Sequence, residues 1–130
     1  MGSVREPSRP AETVLLVEDD ALVRMFGTEI LEEAGFRVIE AENADAALRT
    51  LEARPRTVSV LVTDVHMPGS MDGHELARVV YERWPSIKIV ITSGRAQIPP
   101  RDIPDHGRFV PKPWKSDVMV SAIEAAGQPG

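Results

Sequence analysis

The sequence predicts an α/β fold: a doubly wound, five-stranded parallel sheet with helices on both faces. Short apolar runs alternate with stretches whose apolar residues recur at helical spacing, no hairpin turn joins successive runs, and no internal repeat is present. With 130 residues, 42% of them hydrophobic, the chain is long enough for one buried core and leaves no room for a second.

Each element follows from local pattern. Thr13 to Val17, β-branched and leucine throughout, predicts a strand covered on both faces. Leu22, Met25, Phe26, Ile30 and Leu31 then keep helical spacing from Ala21 up to Gly35, a residue suited to a left-handed cap. Arg37 to Ala41 predicts the second strand, and Asn43 caps a helix facing inward through Ala44, Ala47, Leu48 and Leu51. Val58 to Thr63 predicts the third strand, Glu75 to Arg83 a helix ending before Pro85, and Ile87 to Thr92 the fourth strand. Between Gly94 and Gly107, Pro99, Pro100 and Pro104 rule out a regular helix, because an interior proline costs about 3 kcal/mol. A loop with at most one helical turn is expected there. Arg108 to Val110 predicts a short fifth strand, and Ser116 caps a final helix with Val118, Met119, Ala122, Ile123 and Ala126 at core spacing. The folded unit is expected at residues 13–126, with a flexible arm at 1–12 and a short tail at 127–130.

Composition narrows the function. A net charge of -5, with 15 basic residues scattered along the chain, leaves no electrostatic footprint for direct nucleic acid binding. The absence of cysteine excludes disulfides, thiolate metal ligands and thiol catalysis. No apolar run approaches a membrane span and the first residues lack a signal-peptide core, so a cytoplasmic protein is expected.

Reactive groups follow the apolar runs: Glu18 and Asp19 after the first, Asp64 after the third, Ser93 after the fourth and Lys112 after the fifth. In an open parallel sheet ligands bind beyond the carboxyl ends of the strands, so these groups are expected to meet. Carboxylates gathered there repel, by about 3 kcal/mol for two charges roughly 5 Å apart at an effective dielectric near 20. A hard dication such as Mg²⁺ removes that cost. Three acids, a hydroxyl and an ammonium so placed describe a phosphoryl-transfer site, with a carboxylate as nucleophile. The residues alone leave plainer roles open: a solvated turn and helix cap for Glu18, Asp19 and Asp20, a surface lysine for Lys112, a turn for Ser93, and core packing for Phe109.

The segments LLVEDD, LVTDVHMPG, ITSG and FVPKPW, in that order, resemble the response-regulator receiver domain of two-component signalling over about residues 13 to 126. The resemblance implies a flavodoxin-like topology and transfer of a phosphoryl group from a histidine kinase, hybrid kinase or phosphotransfer protein to an aspartate. By position, Asp64 resembles the phospho-acceptor. Glu18 and Asp19 resemble the acidic pair that holds Mg²⁺, with Asp19 the direct ligand, and Asp64 and the backbone carbonyl of His66 resemble its further ligands. Ser93 resembles the switch hydroxyl, Lys112 the ammonium partner of the phosphoryl group, and Phe109 the switch aromatic. The resemblance also implies a cis peptide at Lys112-Pro113. Such a domain is not a conventional enzyme, although it catalyses its own phosphorylation and dephosphorylation, and a protein partner reads its state.

The departures are specific. The loop MPGSMDG is one residue longer than the family's common form, and the proline-rich segment stands where the family has its fourth helix. That segment is expected to serve as an output element that orders on switching. His66 and Arg95, each two residues beyond a site residue, are expected to flank the path of hydrolytic water and tune phosphate lifetime. An alternative reading is a phosphorylation-independent scaffold on the same fold. An aspartate-nucleophile phosphatase would need an acid where His66 stands, and His66, His74 and His106 lack zinc-site spacing. Trp84 and Trp114 read as packing aromatics, since neither lies in a basic run.

Overall fold

A computed structural model describes residues 12–69, 71–95 and 97–128. The expected N-terminal arm therefore lies outside the described residues except for Glu12, as does the end of the tail. Strands β1 (Thr13–Val17), β2 (Arg37–Ala41), β3 (Val60–Asp64), β4 (Lys88–Ser93) and β5 (Arg108–Pro111) form one parallel sheet in the order β2-β1-β3-β4-β5. Helices α1 (Ala21–Glu33), α2 (Ala44–Ala53), α3 (Gly73–Arg83) and α4 (Ser116–Ala125) cover it. This is the doubly wound architecture expected.

Alternation along the central strands divides the core in two. Leu15, Val17, Leu61, Ile89 and Ile91 pack with Ala44, Ala47 and Leu51 of α2 and Leu76, Ala77 and Val80 of α3. Val14, Leu16, Val60, Val62, Val90 and Val110 pack on the other face with Ile30 and Leu31 of α1 and Met119 and Ile123 of α4. Strands buried on both faces need apolar residues at every position, which is why β1 is continuous rather than alternating.

The helix ends show how far local chemistry sets boundaries. Asn43 caps α2 by accepting from the Ala46 amide at 2.8 Å. After α1, Phe36 N donates to Leu31 O at 3.0 Å and Gly35 N to Glu32 O at 3.0 Å, while Gly35 takes φ 101. That is a Schellman ending, and the left-handed position explains the glycine. α3 begins at Gly73, before the expected Glu75, because Asp72 and Glu75 form a reciprocal capping box. Ser116 does not cap α4: the helix already includes it, Lys115 holds the cap position, and no side chain bonds there.

Two apolar expectations are corrected. Leu22, Met25 and Phe26 are 75%, 54% and 48% exposed, so the buried stripe of α1 runs only through Gly27, Ile30 and Leu31. Val118 is likewise exposed. Helical spacing marked these residues, but the stripe was wider than the sheet could cover.

Between β4 and β5 the only regular element among the described residues is a single 3₁₀ turn, Pro100–Asp102. Ile98 packs against the α2–α3 side of the core, His74 Nδ1 stands 3.3 Å from the Asp102 carbonyl oxygen, and Gly127 N donates to His106 O at 2.8 Å. The prolines thus replace the fourth helix of the usual fold with a segment fastened at several points.

Candidate functional site

The same alternation that places Leu16, Val62 and Val110 on the α1–α4 side continues to Glu18, Asp64 and Lys112, two residues further on in each case. Their side chains meet at the carboxyl edge of the sheet. Lys112 Nζ donates to Glu18 Oε1 at 2.5 Å and to Asp64 Oδ2 at 3.0 Å. Glu18 and Asp64 are buried and Asp19 is exposed. One carboxylate oxygen from each of the three lies within 4.8 Å of the others.

Three consecutive acids do three different things here. Glu18, buried, accepts from the Asp20 amide at 3.1 Å as well as from Lys112. Asp19 turns out to solvent beside the cluster. Asp20 caps α1, accepting from Leu22 N at 2.9 Å and Val23 N at 3.1 Å. The helix-cap role weighed for this run thus belongs to Asp20, while Glu18 and Asp19 join Asp64.

Lys112 is the electrostatic pivot. Burial by itself lowers the pKa of its ammonium, but the hydrogen bonds it donates to Glu18 and Asp64, together with their charges, outweigh burial and hold it above the ordinary 10.5. Its backbone is also fixed, since Lys112 N donates to Ser93 O at 2.8 Å, and the Lys112-Pro113 peptide is cis. Ser93 is fully buried and its Oγ accepts from Arg95 N at 3.1 Å, but strand alternation turns it to the α2–α3 face, away from the cluster it was expected to join. The hydroxyl of buried Thr92, which pairs in register with Asp64, stands on the cluster's face without a hydrogen-bond partner among the described residues. Phe109 is half-buried on β5, paired in register with Ile91. His66 and Arg95 expose their side chains in the loops after β3 and β4.

Asp64 is also set from behind. Its carbonyl oxygen accepts from Thr63 Oγ1 at 3.1 Å, and Gly73 N donates to Val65 O at 2.9 Å. A Cβ on Gly73 would stand 1.6 Å from that Asp64 oxygen, so only glycine lets α3 start this close.

The donor set suits a hard dication: clustered carboxylates with no nitrogen or sulfur ligand in the group. Beside it, Leu22, Val23, Phe26, Pro113 and Trp114 line an apolar groove of about 430 Å³ whose wall includes Lys112. Residue spacing gave no sign of that groove, because it forms only when the end of β5 meets α1.

The profile of the response regulator receiver domain matches residues 14–124. The chain belongs to the response regulator receiver family. It is 38% identical over 114 residues to the response regulator receiver protein CpdR of Brucella abortus, covering 85% of this chain and 92% of that one. It is 36% identical over 115 residues to the sensor kinase CckA of the same organism, covering 86% of this chain but 12% of that protein. A response regulator receiver protein from Sinorhizobium medicae superposes with TM-score 0.78 at 29% identity, covering 88% of this chain and 92% of that structure. At 20% identity, Vibrio cholerae CheY4 shares the fold with TM-score 0.75 over 89% of this chain and 98% of that one. Among the described residues no helix of this receiver is long and apolar enough to cross a membrane.

Proposed function

We propose that this receiver, over residues 13–126, takes a phosphoryl group onto Asp64 from a phosphohistidine on a histidine kinase, hybrid kinase or phosphotransfer protein. The observation that carries the reading is the Lys112 ammonium bridging Glu18 and Asp64 within a cluster of three acids. An Asp64 carboxylate oxygen attacks phosphorus, the phosphorus–nitrogen bond breaks, and the imidazole leaves with the electron pair. The product is an acyl phosphate. Lys112, already at hydrogen-bond distance from Asp64, needs only a short shift to pair with a phosphoryl oxygen. Glu18, Asp19, Asp64 and the His66 backbone carbonyl would hold Mg²⁺, which neutralises phosphoryl charge when bound.

Switching follows from the change in charge. The phosphoryl group adds roughly two negative charges and three acceptor oxygens. The Thr92 hydroxyl, buried without a hydrogen-bond partner among the described residues and paired in register with Asp64, gains an acceptor in place of Ser93, which strand alternation turns to the other face, and Phe109 adjusts on β5. His66 and Arg95, exposed in the flanking loops, tune access of hydrolytic water. The donor protein approaches over the Leu22–Phe26–Trp114 groove, which shares Lys112 with the site. The kinase relative supports a partner of that class, the proline-rich segment is the element offered to a downstream protein, and the acidic charge disfavours direct nucleic acid contact.

Acetyl phosphate labelling read by intact mass tests the reading on wild type and Asp64→Asn, with and without Mg²⁺. An adduct that requires both Mg²⁺ and Asp64 is expected. No adduct under any condition would instead favour a phosphorylation-independent scaffold.

A further inference from the structure

Arg24, in the first turns of α1, reaches back to the strand end it follows. Its Nη1 donates to the Glu18 carbonyl oxygen at 2.6 Å, and its Nε donates to Glu40 Oε1 at 3.0 Å. Glu40, on β2 beside Leu16, is held in turn by Thr28 Oγ1 at 2.8 Å from its other oxygen. The Glu18 amide donates to Ala41 O at 3.1 Å. The Glu18 backbone is therefore gripped on both sides.

The carbonyl that Arg24 holds belongs to the peptide plane joining Glu18 and Asp19. Both side chains hang from the two ends of that plane, and they supply two of the three clustered carboxylates. Fixing the plane fixes the backbone rotations that aim both acids at once. A guanidinium suits the task, because its planar fork satisfies a carbonyl and a carboxylate in one geometry. Glu40 serves to set the arginine's orientation and to offset its charge beside the acids; with the Glu40 carboxylate partly in solvent, the pair itself adds little to stability.

We propose that Arg24 is a positioning residue for the acidic site, acting through the Glu18–Asp19 peptide with Glu40 as its anchor. The inference rests on the reading of Glu18, Asp19 and Asp64 as a cation site and extends it to residues outside the cluster.

The sign of one measurement separates this role from a plain charge effect. Removing a nearby cation should tighten Mg²⁺ binding by Coulomb's law, whereas loosening the peptide should weaken it. The test is a Mg²⁺ titration followed by amide NMR shifts on wild type, Asp19→Asn, Arg24→Ala, Arg24→Lys and Glu40→Gln. Wild type should saturate and Asp19→Asn should not. Arg24→Ala should bind about tenfold more weakly, as loss of a group orienting a metal ligand typically does. Arg24→Lys keeps the charge but loses the fork, so it too should weaken binding and serves if the alanine variant fails to fold. Glu40→Gln should weaken it less. Folded Arg24 variants that bind as tightly as wild type or tighter would overturn the inference while leaving the cation site standing. A wild type with no saturable shifts would overturn both.

Discussion

Lys112 Nζ lies 3.0 Å from Asp64 Oδ2, so the residue proposed as nucleophile is ion-paired before any phosphate arrives. The same ammonium meets Glu18, and the two acids together hold its pKa above 10.5 despite burial. A raised lysine pKa in the folded state means that folding favours the protonated form. The stabilisation is complete below the ordinary lysine value and is lost as pH rises through the raised one. Urea unfolding of wild type and Lys112→Met across a pH series should therefore give a difference of about 1–3 kcal/mol that stays constant through neutral pH. Above 10.5 that difference should shrink.

Divalent cation should stabilise the fold by mass action. At tenfold excess over its dissociation constant, Mg²⁺ should add about 1.4 kcal/mol. For a domain of this size that corresponds to a rise in Tm of roughly 5 °C. Thermal melts should show the rise in wild type and lose it in Asp19→Asn.

Gly73→Ala sets two effects against each other. Alanine is the better helix former by about 1 kcal/mol, yet its Cβ would stand 1.6 Å from the Asp64 carbonyl oxygen. The clash wins, since it falls on backbone that cannot rotate away. Chemical denaturation should show a net loss of about 1–3 kcal/mol, with slower acetyl phosphate labelling because the strand end moves.

Leu22→Ser and Phe26→Ser should separate docking from chemistry. Leu22 is largely exposed and Phe26 half-exposed, so stability should change by no more than about 0.5 kcal/mol for Leu22→Ser and about 1 kcal/mol for Phe26→Ser. Labelling by acetyl phosphate should match wild type, while transfer from a phosphorylated kinase or phosphotransfer protein should slow.

Much of this was legible in the chain because strand ends carry their own signal. Glu18, Asp64 and Lys112 each follow an apolar run, and side-chain alternation delivers them to one side of the sheet. The prolines at 99, 100 and 104 announced the missing helix equally directly. What sequence reasoning missed depends on distance in the chain. Arg24 and Glu40 are 16 residues apart and meet only because β2 pairs beside β1. The exposure of Leu22 and Phe26 could not be read from spacing, which reports an apolar stripe but not whether a neighbour covers it. The start of α3 is written in the pair Asp72 and Glu75, whose reciprocal capping box sets the helix two residues ahead of Glu75.

Asp64 itself is the side chain expected to carry the phosphoryl group. Borohydride reduces an acyl phosphate but leaves phosphoserine and free carboxylates intact, so treating acetyl phosphate-labelled protein and mapping its peptides locates the modified side chain. Homoserine is expected at position 64, formed only when Mg²⁺ was present during labelling. Reduction at another acid, or a borohydride-resistant label on Ser93 or His66, would contradict it.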